Sequence, residues 1–81
     1  MDTQTQGRTV IWMQGDKRAE LTCRNNKWSL IYNPDMGFCS PITAIGYDNV
    51  VEILTDLLGF VNAGAMLLSA RIADDHQKKG A

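Results

Sequence analysis

The sequence predicts an α+β fold in which a small antiparallel β-meander of three to four strands packs against one long C-terminal α-helix. Three observations predict it. Residues 8–32 alternate apolar and polar side chains with period two, the pattern of half-buried strands. Gly15-Asp16 and Asn25-Asn26 interrupt that alternation with residues suited to two-residue hairpin loops. From Val50 onward the apolar residues recur at helical spacing instead.

The loop at Asn25-Asn26 sets a register. Asparagine tolerates positive φ, which a type I′ loop needs at both central positions. Arg24 then faces Lys27, Cys23 faces Trp28, Thr22 faces Ser29, Leu21 faces Leu30, Glu20 faces Ile31 and Ala19 faces Tyr32. The pairs Cys23/Trp28, Leu21/Leu30 and Ala19/Tyr32 make one face apolar, while Arg24/Lys27, Thr22/Ser29 and Glu20/Ile31 make the other mostly polar. A slip of one residue mixes the two faces, so the clean split supports the register. The turn at Gly15-Asp16 puts Trp12 opposite Ala19 and Val10 opposite Leu21 on the same apolar face. It leaves Ile11 and Met13 on the polar face near Ile31. Beyond Tyr32, Asn33-Pro34-Asp35-Met36-Gly37 reads as a turn. Residues 38–42 read as a short fourth strand, which Pro41 confines to an edge or an end. Residues 43–47 read as the connection to the helix.

Asp48 or Asn49 suits the helix start, with Glu52 three residues after Asn49. Val50, Ile53, Leu54, Leu57, Val61, Leu68 and Ile72 keep one helical phase, which predicts a single helix over residues 47–76. Gly59 and Gly64 weaken it, and a break near Asn62-Ala63-Gly64 is the alternative. The expected core is Val10, Trp12, Ala19, Leu21, Cys23, Trp28, Leu30 and Tyr32 against Val50, Ile53, Leu54, Leu57 and Val61. A helix of that length runs about 42–45 Å. A sheet of three or four strands is only about 15–20 Å wide. The helix therefore overhangs, and Ala65, Met66, Leu67, Leu68 and Ile72 need cover. A second copy of the chain is the economical answer. A fold-back at Gly64 or a different protein are the others.

Eighty-one residues and 9.0 kDa allow one domain. It spans residues 8–76, with residues 1–7 a flexible N-terminus and 77–81 a flexible tail. The apolar fraction of 44% is that of a folded chain, and a net charge of −1 argues against a dedicated duplex-DNA binder. The first residues carry neither a basic start nor an apolar run, so no signal peptide is read. The uncharged stretch over residues 57–70 is shorter than the roughly 20 residues of a membrane span. These features predict a cytoplasmic protein without membrane contact, with Cys23 and Cys39 reduced.

No motif announces chemistry. The two cysteines and single histidine match no zinc pattern, so neither metal nor cofactor is expected. The glycines fit no phosphate-binding loop, and Asp35, Asp48 and Glu52 fit no calcium loop. A Cys39 nucleophile with His76 as base is the one catalytic pairing available. His76 sits in an Asp-Asp-His-Gln tail and reads as solvated. The chain is expected not to be an enzyme.

Charge is segregated along the chain. Arg8, Lys17, Arg18, Arg24 and Lys27 make the first third basic, and residues 29–70 contain acidic residues but no basic one. On the polar sheet face Ile11, Met13 and Ile31, ringed by Arg18, Arg24 and Lys27, form a candidate contact surface for a larger protein. Basic residues interleaved with Trp12, Trp28 and Tyr32 also suit single-stranded nucleic acid, but the register turns those rings inward. In size and layout the chain resembles small accessory proteins of phages and plasmids, including inhibitors of host defence systems. That resemblance rests on no motif and carries over no functional residue. The expectation is a homodimeric, non-catalytic protein-interaction module, with single-stranded nucleic-acid binding as the alternative.

Overall fold

The computed structural model describes residues 2–33 and 40–80. It is α+β: five strands form one antiparallel sheet in chain order, followed by two helices. The strands are β1 (Asp2–Gln6), β2 (Thr9–Gln14), β3 (Lys17–Arg24), β4 (Lys27–Asn33) and β5 (Ile42–Ile45). The helices are α1 (Tyr47–Leu58) and α2 (Phe60–Gly80).

The central register is the one the residue pattern predicts. Asn25 and Asn26 have φ of 52° and 66°, as a type I′ loop requires. Cys23 pairs with Trp28, Leu21 with Leu30 and Ala19 with Tyr32. Across β2, Trp12 meets Ala19 and Val10 meets Leu21. Two strands differ from expectation. β1 pairs along β2 from Gln6↔Thr9 to Asp2↔Met13, where a flexible polar segment was expected. Its Asp-Thr-Gln-Thr-Gln sequence shows no apolar alternation, because an edge strand is held by its backbone ladder and has little to bury. β5 starts at Ile42, the last residue of the expected fourth strand, and runs on through residues 43–45, which were expected to be connection, with Ala44 buried opposite Leu30. Of the expected fourth strand, Phe38 and Cys39 lie outside the described residues.

The largest departure is at Gly59. The expected single helix is two, and the break lies five residues before Gly64. Gly59 has φ 86° and ψ 164°, a region that a β-carbon all but forbids. One residue both closes α1 and opens α2: its N–H donates to the Thr55 carbonyl, and its own carbonyl accepts from the Ala63 N–H. The Asn62 side-chain amide donates to the Leu58 carbonyl at 3.2 Å, satisfying a helix-end acceptor. The same device stands before α1. Gly46 is the N-cap with φ 95°, and Asn49 donates back to the Ile45 carbonyl at 3.2 Å. Neither Asp48 nor Asn49 therefore caps α1 with its side chain. Gly46-Tyr47-Asp48-Asn49 and Gly59-Phe60-Val61-Asn62 are two versions of one helix start.

The chain doubles back at this break. Tyr47 lies twelve residues before Gly59 and Arg71 twelve after it, yet both reach Trp28. The Tyr47 ring meets the indole edge-on at 5.4 Å between centroids, and the Arg71 guanidinium sits 5.7 Å from its centre. α1 therefore covers β4 and β5 while α2 returns over β3 and β2. The fold-back resets the helical phase. Val50 and Leu54 are fully buried as expected, with Ile53 and Leu57 packed at the margin of the core. Val61, expected in the core, is instead 80% exposed. Its place is taken by Ala63, Met66, Ala70 and Ala73. The small side chains bring the α2 backbone close to the sheet.

Candidate functional site

Three features on this framework hold polar or unpartnered side chains. The first is buried. Asp74, on the inner face of α2, is 1% exposed. Its Oδ1 accepts from the Arg8 Nε at 2.9 Å and from the Asn25 backbone N–H at 3.1 Å. Its Oδ2 lies 3.3 Å from the Lys78 Nζ and accepts from the Cys23 thiol at 3.6 Å. Burial pushes the Asp74 carboxyl upward, but the Asn25 N–H, Arg8 and Lys78 outweigh it and hold the group well below the usual carboxylate range. Burial also pushes the Cys23 thiol up, and the Asp74 charge pushes it further. A protonated, buried thiol is a poor nucleophile. The cluster therefore works as a clamp joining the β1–β2 turn, the β3–β4 turn and the last turns of α2.

The second feature is the open sheet face, where the contact surface was expected. Arg18, Arg24 and Lys27 are exposed there, and Arg24 pairs directly with Lys27 across the ladder. Arg18 lies 3.6 Å from Glu20. Ile31 is 45% exposed and Met13 half-buried. Ile11 is a correction: it is only 4% exposed. The unexpected β1 sets Gln4 beside it on one side, and Glu20 flanks it on the other. Ile45, on β5, is 79% exposed and extends the apolar part of this face past Ile31. It was missed because residues 43–47 were expected to be connection. Trp12, Trp28 and Tyr32 are buried against the helices, so none of these three rings is offered to a stacking base on this face.

The third feature is the outer face of α2. Of the residues expected to need cover, Met66 is buried and Leu67 half-buried in the chain's own core. These two are corrections: the fold-back at Gly59 supplies the cover that a second copy was expected to provide. Ala65, Leu68 and Ile72 remain exposed, and Val61 joins them. Val61, Ala65, Leu68 and Ile72 are spaced four, three and four residues apart, the seam spacing of a helix that packs against another helix. Phe60, 85% exposed, is the first residue of α2 and lies to one side of the stripe. The inner face, with Ala63, Met66, Ala70 and Ala73, lies on the opposite side of the same helix.

His76 is exposed on the wall of an open groove of about 500 Å³ between the β1–β2 turn and α2. Cys39, its expected partner in thiol chemistry, lies outside the described residues. Among the described residues no cluster of histidine, cysteine and carboxylate side chains is placed to hold a metal ion. No helix among them is long and apolar enough to cross a membrane. A scan of protein-family models, a search of curated proteins and a search of solved structures each found no match to this chain.

Proposed function

We propose that this chain is a non-catalytic protein-interaction module that self-associates through the outer face of α2 and offers its open sheet face to a larger partner. One observation carries the reading: α2 is apolar on two opposite faces, and among the described residues only the inner one is packed within the chain. Val61, Leu68 and Ile72 form a contiguous exposed stripe about 16 Å long, the kind of surface that marks a contact site. The buried, protonated Cys23 supports a structural rather than a catalytic role for the clamp. The free thiol suits a reducing, cytoplasmic setting. A small accessory or inhibitor protein acting by surface occupation fits this arrangement. The test is solution mass by light scattering across a concentration series. Wild type should give twice 9.0 kDa, and Leu68→Glu should give a folded 9.0 kDa species. Wild type that stays monomeric at millimolar concentration contradicts self-association.

The exposed Arg18, Arg24 and Lys27 favour one second reading, a backbone-tracking single-stranded nucleic-acid binder. Binding of a labelled oligothymidylate that weakens steeply with salt supports it, and no binding at low salt removes it.

A further inference from the structure

The geometry points to an antiparallel, two-fold pairing of α2 with α2 of a second copy. This rests on the self-association proposed above and specifies its mode. The stripe is complementary to itself only in one orientation. Run antiparallel, Val61 meets Ile72 of the partner copy and Ala65 meets Leu68, and the two-fold axis repeats both contacts. The central layers then set the stripe's smallest side chain, Ala65, against one of its two largest, Leu68, a large-against-small match that suits facing positions of a packed helix pair. Gly64 flanks this point with open space around it, so the two backbones can approach closely. A parallel pair instead stacks Ala65 on Ala65 and Leu68 on Leu68, leaving a gap beside a bulge.

Charge agrees with the antiparallel direction. Asp75, exposed, continues the seam one step beyond Ile72. In the antiparallel pair it reaches the start of the partner copy's α2. That helix has no acidic residue in its own first turn, and its free N–H groups there favour a carboxylate. Because the stripe lies opposite the sheet-facing side of α2, the pair presents two open sheet faces pointing apart. A partner with two matching surfaces would gain from binding both.

Two double variants test the direction. Val61→Glu with Ile72→Lys keeps opposite charges together in an antiparallel pair and sets like charges together in a parallel one. Val61→Glu with Ile72→Glu sets like charges together in both. All three proteins are measured by sedimentation equilibrium, with circular dichroism confirming the fold. We expect the Glu/Lys variant to associate at least 100-fold more tightly than the Glu/Glu variant, with an advantage that shrinks as salt rises. A wild-type dimer with both variants equally monomeric overturns the antiparallel mode and leaves self-association through α2 standing. A wild-type dimer with both variants still dimeric removes α2 as the surface. A wild-type monomer overturns self-association itself.

Discussion

Arg8 donates its Nε to Asp74 at 2.9 Å, joining the turn between the first two strands to the last turns of the last helix across 66 positions of chain. The carboxylate it holds is buried and also takes the Asn25 N–H. Removing a donor such as Arg8 leaves the buried Asp74 carboxylate short of a partner, which costs more than the net worth of the contact.

This clamp makes stability depend on acid. The folded-state pKa of Asp74 lies below its ordinary value of 3.8, so its stabilising contribution is fully present above that value and is lost as pH falls below it. Denaturant unfolding midpoints measured from about pH 7 to pH 2 should fall for wild type below about pH 4. Asp74→Asn should be less stable at neutral pH and show a shallower acid limb. Parallel acid limbs in the two proteins would remove Asp74 as the titrating group.

Gly59 and Gly64 should respond oppositely to alanine. Within one chain neither has an atom within 4 Å of an added β-carbon, so at low micromolar concentration backbone conformation alone decides. Gly59→Ala forces a β-carbon onto φ 86° and should cost about 1–3 kcal/mol. Gly64→Ala, within α2, should add about 0.5–1 kcal/mol. Urea titration of both variants reads the difference, and a neutral Gly59→Ala would contradict the break.

Leucines on the two sides of the helical layer should separate as sharply. Leu54 is fully buried, and Leu54→Ala should cost about 2–5 kcal/mol. Leu68→Ala, measured at low micromolar concentration, should change unfolding by no more than about 0.5 kcal/mol. A large loss at Leu68 under those conditions would place it in the chain's own core.

The Cys23 thiol should be protected in the folded state. In a Cys39→Ser background, iodoacetamide should modify native protein on the order of 100-fold more slowly than unfolded protein. Equal rates would contradict its burial and its contact with Asp74.

Much of the sheet was legible because period-two alternation and loop chemistry point to the same register. Asn25-Asn26 alone aligned Cys23 with Trp28 and every pair beyond it. β1 was hidden because a polar edge strand needs no apolar residue to pair. The break at Gly59 was hidden by a coincidence of phase: Val61, Leu68 and Ile72 continue the apolar rhythm of α1 although they face the other way. The clue was the repeated Gly-aromatic-x-Asn start at Gly46 and Gly59. Restarting the phase at Phe60 puts Ala63, Met66, Ala70 and Ala73 inward and Asp74 with them, and a carboxylate facing inward demands a cation such as Arg8. Of the residues expected to form a contact surface, Arg18, Arg24, Lys27 and Ile31 are exposed, Met13 is half-buried and Ile11 is covered.

The fold-back at Gly59 underlies both the clamp and the outward stripe, and nuclear Overhauser contacts of Trp28 test it most directly. In isotope-edited spectra of wild type, the Trp28 indole should show cross-peaks to the Tyr47 ring and to the Arg71 side chain within one chain. A continuous helix would hold those two residues about 36 Å apart. Cross-peaks to Tyr47 without any to Arg71, together with unbroken helical contacts through Gly59, would contradict the fold-back and the exposed face of α2.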